Sequence, residues 1–189
     1  MAQICANTLG VDYQRITVIH GQTNLIPYGI GAHAARATVM TGSAVNVTAL
    51  TLRTKALDLA AEMLQLPADS LDIVDGTVIV ADKPSGPSIT LAEIARRNEE
   101  GLAAEDFHKT KESAFPYGIH FAVVKVDPET GRIDVERFMV AYDVGCMVNE
   151  MLLEGQLVGG CIQGIGGALY EEFVYSDEGE PMAVTFADY

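Results

Sequence analysis

Apolar residues recur at helical spacing from residue 34 to residue 65. No proline interrupts this stretch, and Val45, Ala49, Leu52, Ala56, Leu59 and Met63 fall along it. The pattern predicts a helix of about 45 Å, ended by Leu66-Pro67. Its first half holds Thr38, Thr41, Gly42, Ser43, Ala44 and Thr48, which favour helix weakly but allow another backbone or a ligand to come close. A second apolar periodicity, through Leu152, Leu153, Leu157, Ile162, Ile165, Leu169 and Phe173, predicts a helix over 151–173.

Period-two alternation marks the strands. Residues 15–20 are rich in β-branched side chains and read as a strand, followed by a loop marked by Gly21 and Pro27 that runs to Gly31. Residues 71–75 and 77–80 flank Asp75-Gly76 and predict a short hairpin. Residues 119–127 and 132–144, joined by Pro128-Glu-Thr-Gly131, predict a long antiparallel one. Thr90-Leu-Ala-Glu93 is a capping box opening a short helix to about Arg97, and Ala2 to Leu9 is helix-like, ended by Gly10. Asp177-Glu-Gly179 supplies a late turn. The expected class is α+β, with mixed β-sheets and the two long helices 34–65 and 151–173. The charged stretch 98–113 reads as an exposed connection between subdomains 1–97 and 114–189.

Composition narrows the function. The 189 residues carry 26 acidic and 12 basic side chains, a formal charge of -14 that repels phosphate backbones and argues against nucleic acid as a partner. No apolar run approaches the roughly 18 residues of a membrane span. Cys5, Cys146 and Cys161 are odd in number and widely spaced, which argues for reduced thiols and a cytoplasmic protein. His20, His33, His108 and His120 have no partners at ligand spacing, so no protein-held metal is expected. Hydrolase elbows and complete nucleotide-binding glycine motifs are lacking.

Two segments spend helix stability on something else. The glycine-bearing loop running through Ala32, Ala34, Ala35, Arg36, Ala37 and Thr38 into the long helix leaves amide donors at a helix start, with Arg36 able to add charge. That arrangement suits a phosphate, although from this pattern alone an ordinary loop and helix start is the favoured reading. Between Gly155 and Gly167 lie six glycines in thirteen positions, which cost a helix roughly 6 kcal/mol relative to alanine. Close packing of another backbone offsets such a cost. A polar ligand held by the amides of Gln156 and Gln163 is the alternative. Asp143 reads as a turn residue.

Several blocks together resemble one family. Gly42-Ser-Ala-Val45, Pro116-Tyr-Gly-Ile-His120, Val123-Val-Lys-Val-Asp-Pro-Glu-Thr-Gly131, Glu154-Gly-Gln156 and Gln163-Gly-Ile-Gly-Gly-Ala-Leu-Tyr-Glu-Glu172 resemble the molybdopterin-binding large subunit of the xanthine dehydrogenase, aldehyde oxidase and carbon monoxide dehydrogenase family. The resemblance covers nearly the whole chain. It implies a molybdenum ion held by the dithiolene of a pterin cofactor, oxidising an aldehyde, an N-heterocycle or carbon monoxide with oxygen from water. It also implies partner iron–sulfur and flavin subunits or domains, with a homo-oligomeric assembly. By position, Ala32 to Thr38 corresponds to the segment holding the pterin phosphate, in bacteria commonly of the cytosine dinucleotide form, and Gln156 to a glutamine that hydrogen-bonds the pterin.

Alanine stands at 32, 35 and 37 where relatives carry threonine or serine, Glu150 where they often have proline, and Gln22 where they often have aspartate. The family's catalytic glutamate would fall beyond the Asp188-Tyr189 match, and its Gly-Gln-Gly motif before Met1. The resemblance therefore implies no catalytic residue within these 189 positions. It implies a partial domain, inactive alone and not expected to retain cofactor by itself; a non-catalytic interaction module is the rival expectation.

Overall fold

The computed structural model describes residues 1–26, 28–29, 31–33, 36–110 and 115–189. They form two compact units, Met1–Phe115 and Pro116–Tyr189.

In the first unit, α1 (Ala2–Leu9) ends at Gly10, whose left-handed backbone (φ 71°) closes the helix. A Cβ there would sit 2.1 Å from the Ile73 carbonyl oxygen, so the position is limited to glycine both by conformation and by space. A helix from Arg36 opens with one wide π-helical turn (Ala37–Thr41) and continues as α2 (Gly42–Leu64) to a left-handed Gln65. The first two positions of the expected 34–65 helix, Ala34 and Ala35, lie outside the described residues. The buried stripe of α2 is Gly42, Ala49, Ala56 and Ala60, all small. Gly42 admits Ile4 of α1, whose Cδ1 is 3.1 Å from where a Cβ would stand, so the small residues at the start of the long helix let another helix in.

β1 (Leu71–Val74) and β2 (Thr77–Val80) pair antiparallel through Asp75-Gly76, both at positive φ (48° and 75°), the type I′ signature of a two-residue hairpin. β3 (Ile89–Thr90) adds to β2, and Thr90 then caps α3 (Leu91–Arg97), its hydroxyl accepting from the Glu93 amide at 3.2 Å. The core of this unit is Ala56, Ala60, Leu71, Ile73, Val78, Ile89 and Ile94, where the second half of α2 covers the sheet and α3. Arg53 on α2 ties three elements, pairing with Asp72 on β1 and reaching the Thr8 carbonyl of α1 at 3.4 Å.

The second unit contains the long hairpin of β4 (Tyr117–Val126) and β5 (Ile133–Asp143), with a bulge at Val123/Val124, followed by α4 (Glu150–Leu169). The Asp127 carboxylate orders the intervening turn, accepting from the amides of Glu129 (2.9 Å) and Thr130 (3.4 Å).

The α+β class with two long helices is the observed one. Three readings are corrected. All pairings among the described residues are antiparallel rather than mixed, because tight turns, not crossovers, connect β1 to β2 and β4 to β5. Residues 15–20 form no strand: Tyr13–Arg15 is a 3-10 turn capped by Asp12, and the extended residues after it find no ladder partner among the described residues. The second long helix stops at Leu169, not Phe173. Tyr170 leaves helical geometry, the Tyr170 and Glu171 amides share the Gly166 carbonyl, and the Phe173 ring packs against Tyr175 and Tyr189 instead. The stretch from 98 to 110 is without helix or strand, exposed or half-buried, and makes a few contacts with the rest of the first unit. Leu102 packs on the core, Thr51 donates to Asp106 at 3.2 Å, and Lys55 reaches the Ala103 carbonyl at 3.5 Å. The rest of the expected connection, 111–113, lies outside the described residues, as do Pro27 and Ile30 of the earlier loop.

Candidate functional site

Two places carry the expected site residues, one in each unit. The first is the entry to α2. Ala32, Ala37 and Thr38 are exposed and Arg36 is half-buried; Ala34 and Ala35 lie outside the described residues. The Arg36 amide donates to the His33 carbonyl at 3.0 Å, so this donor is spent inside the loop and its side chain is what remains to offer. The Arg36 guanidinium and the Thr38 hydroxyl have no partner among the described residues. The π turn over Ala37–Thr41 widens the helix start, and the Gly42 amide closes it by reaching the Thr38 and Val39 carbonyls. Such single π turns are frequent at functional sites because they displace one residue from the regular ladder.

The second place is α4. Asn149 caps it, its side-chain oxygen accepting from the Leu152 amide at 3.0 Å, and Glu150 adds a carboxylate to the first turn, complementing the helix dipole. Asp143 upstream is a turn residue, accepting from the Gly145 amide at 3.0 Å. Gln156 is exposed, and at helical spacing it shares a stripe with Gly160, Gln163 and Gly167. A Cβ at Gly155, Gly159, Gly160 or Gly164 would meet nothing within 4 Å. Close packing of another backbone, one of the two explanations for these glycines, is thus not supplied by the described residues. Gly166 differs, because the Glu171 carboxylate folds back over it, with Oε1 3.1 Å from the Cβ position and Oε2 accepting from the Tyr189 hydroxyl at 3.0 Å. That carboxylate, as hydrogen-bond partner and as charge, pushes the Tyr189 hydroxyl pKa upward.

One constellation escaped the sequence reading. On one face of the β4–β5 hairpin the Tyr142 ring covers Gly118, and its hydroxyl meets His120 Nε2 at 2.6 Å. The only available signal was a glycine and a histidine two apart in β4 with a tyrosine in β5, which has no meaning until the register is known. Among the described residues no three histidine, cysteine or carboxylate side chains gather as a metal site. No helix among them is long and apolar enough to cross a membrane.

The fold is an α+β scaffold with open polar and glycine-lined positions at the entry to α2 and along one face of α4. The whole chain, residues 1–189, matches the molybdopterin cofactor-binding domain family, and it belongs to that family. It is 37% identical over 199 residues to the gamma subunit of the 6-hydroxypseudooxynicotine dehydrogenase complex of Paenarthrobacter nicotinovorans, a match covering all of this chain and 25% of that subunit. Among solved structures, the Cu,Mo-CO dehydrogenase in its carbon-monoxide-reduced state superposes with a TM-score of 0.78 at 30% identity, over all of this chain and 24% of that one. Quinoline 2-oxidoreductase from Pseudomonas putida 86 gives a TM-score of 0.76 at 31% identity, over all of this chain and 25% of that one. The chain spans about a quarter of the length of the relatives it matches. The resemblance drawn from the glycine, glutamine and Ala168-Leu-Tyr-Glu-Glu172 blocks is thereby established as membership.

Proposed function

We propose that this chain forms part of the cofactor pocket of a molybdenum hydroxylase large subunit, with Ala32 to Thr38 holding the phosphate end of molybdopterin and Gln156 its pterin ring. The observation that carries the reading is a set of three polar groups without partners among the described residues. The Arg36 guanidinium and Thr38 hydroxyl stand at a widened helix entry, and the Gln156 amide stands beside glycines with open space above them.

The residues fit such a group chemically. A guanidinium forms charge-assisted hydrogen bonds to phosphate, and backbone amides at a helix start favour the same anion. The donors and acceptors of a glutamine amide match a pterin edge, and missing Cβ atoms let a flat ring lie close. Alanines at 32, 34, 35 and 37 leave only backbone donors there, with hydroxyl contact limited to Thr38. The extended anion of the cytosine dinucleotide form suits this site.

When bound, the molybdenum-carrying pterin supplies a two-electron oxidation of a carbon centre with oxygen taken from water, the reaction class of an oxidoreductase acting on an aldehyde, an N-heterocycle or carbon monoxide. Arg36, Thr38 and Gln156 contribute binding and orientation. The chain's setting is a cytoplasmic, homo-oligomeric complex with iron–sulfur and flavin partners.

The test uses a chimera in which this chain replaces the matching quarter of the Paenarthrobacter gamma subunit, produced with its partner subunits in a molybdenum-replete host. Arg36→Gln and Gln156→Ala should each lower pterin content by about 5- to 100-fold, as expected for losing a charged or neutral bond to a bound ligand. Unchanged pterin content in both variants contradicts the assignment of these residues.

A further inference from the structure

We propose that Glu171 and Tyr189 are positioning residues for α4, forming a clasp that holds its glycine-rich C-terminal turns and with them the face that carries Gln156 and Gln163. That this face meets a cofactor rests on the reading above; the clasp itself rests on contacts within the second unit.

The helix needs such support. Glycine loses more conformational freedom on entering a helix than any other residue, and Gly164, Gly166 and Gly167 crowd the last turns of α4. Helices fray from their ends, where carbonyls lack intrahelical partners. The usual remedies are missing here. Tyr170, the residue after the helix, has φ -131° rather than a left-handed backbone, and no basic side chain stands in the last turn to meet the dipole. None of the residues of α4 is buried, so packing within the unit does little to hold its end.

Glu171 supplies what a cap would. The Tyr170 and Glu171 amides both donate to the Gly166 carbonyl, at 2.9 and 3.0 Å, and turn the chain back over the helix. The Glu171 carboxylate then lies against the glycines, with Oε1 3.1 Å from the Cβ position of Gly166 and Oε2 3.7 Å from that of Gly167. Oε2 accepts from the Tyr189 hydroxyl at 3.0 Å, which closes residues 171–189 into a loop. That loop is laced inside. The Met182 amide donates to the Val174 carbonyl at 2.8 Å and the Ser176 amide to the Glu180 carbonyl at 2.9 Å. The Phe173 ring meets the Tyr189 ring at 6.0 Å between centroids, and the Thr185 hydroxyl donates to Asp188 at 2.8 Å, ordering the turn just before Tyr189. At helical spacing Gly167 shares the stripe of Gln156, Gly160 and Gln163, so the clasp borders the face it steadies.

Charge makes the arrangement diagnostic. A carboxylate beside a helix C-terminus is repelled by the helix dipole. Glu171 sits there because Gly166 and Gly167 leave it room and Tyr189 gives it a hydrogen bond. Without a clasp, removing the charge steadies the helix end; with one, removing the carboxylate loosens it.

Hydrogen–deuterium exchange of amides 160–169 in the 189-residue chain, read beside those of α2, measures the clasp. Glu171→Ala should speed exchange of these amides by about 2- to 10-fold, and Tyr189→Phe should do the same. The double variant should add little, because both changes remove one contact. Glu171→Gln drops the charge but keeps an acceptor for the tyrosine, and should leave protection intact. In the chimera described above, Glu171→Ala should lower pterin content by about 2- to 10-fold and Glu171→Gln should restore it. Exchange that slows or stays unchanged in Glu171→Ala overturns the proposal, as do amides 160–169 that already exchange at the unfolded rate in the unaltered chain. Faster exchange with unchanged pterin content in the chimera overturns the positioning role. A chimera that binds no pterin even with Glu171 in place counts against the functional reading instead, and the sign of the exchange change then decides the clasp.

Discussion

The Tyr142 hydroxyl lies 2.6 Å from Nε2 of His120, and this contact holds the tyrosine ring over Gly118 directly across the β4–β5 ladder. A Cβ on Gly118 would come within 2.5 Å of the ring, so an aromatic fills the space that the glycine leaves open. Gly118→Ala must displace the ring and lose the contact, at a cost of about 1–3 kcal/mol. Tyr142→Phe keeps the packing and removes one exposed hydrogen bond, near the lower end of about 0.5–1.5 kcal/mol. Urea unfolding of the chimera, followed through hairpin amide signals, should rank the two in that order.

Gly10 is the tightest backbone position in the first unit. Its left-handed φ and the Ile73 carbonyl 2.1 Å from a would-be Cβ act together, and its own carbonyl accepts from the Gly76 amide at 2.9 Å. Gly10→Ala should cost about 2–5 kcal/mol, combining left-handed strain with overpacking. Thermal melting of the bare chain followed by α2 helix signal measures it. A shift no larger than that of Gly131→Ala, where space is open, contradicts the packing argument.

The turn between β4 and β5 should loosen in acid. The Asp127 carboxyl is held below the usual carboxylate range, first by the Glu129 backbone amide and then by Thr130. A depressed folded-state pKa means that its contribution is complete above the unfolded-state value and is lost as pH falls through the folded one. The Glu129 and Thr130 amide resonances should therefore move only below the ordinary aspartate range, and Asp127→Asn should abolish that titration.

Hydroxyls missing from the α2 entry are restorable. Ala37 is exposed, and Ala37→Ser adds one donor beside Thr38. If phosphate sits there, pterin retention in the chimera should rise by about 2- to 10-fold, the worth of one added hydrogen bond. No change or a fall argues that the phosphate lies elsewhere.

Local chemistry made much of the fold legible. Asp75-Gly76 specified its hairpin because few other residues accept two positive φ angles, and Thr90 with Glu93 announced the start of α3. The failures arose where a partner decides. Residues 15–20 alternate as a strand does, but a ladder needs a second strand, and none is present among the described residues. Phe173 continues the periodicity of α4, yet its ring is drawn to Tyr175 and Tyr189 once Tyr170 has left the helix. The π turn at Ala37–Thr41 keeps the apolar spacing almost intact and so leaves no trace in periodicity. Of the candidate site, the glycines and Gln156 stood out because their helix cost was unexplained. The His120–Tyr142 pair was invisible because it depends on register.

The most direct test of cofactor binding is the molybdenum and pterin content of the chimera beside that of the bare 189-residue chain. The account predicts close to one of each per chimera and well under a tenth per bare chain. A correctly assembled chimera that carries neither contradicts it.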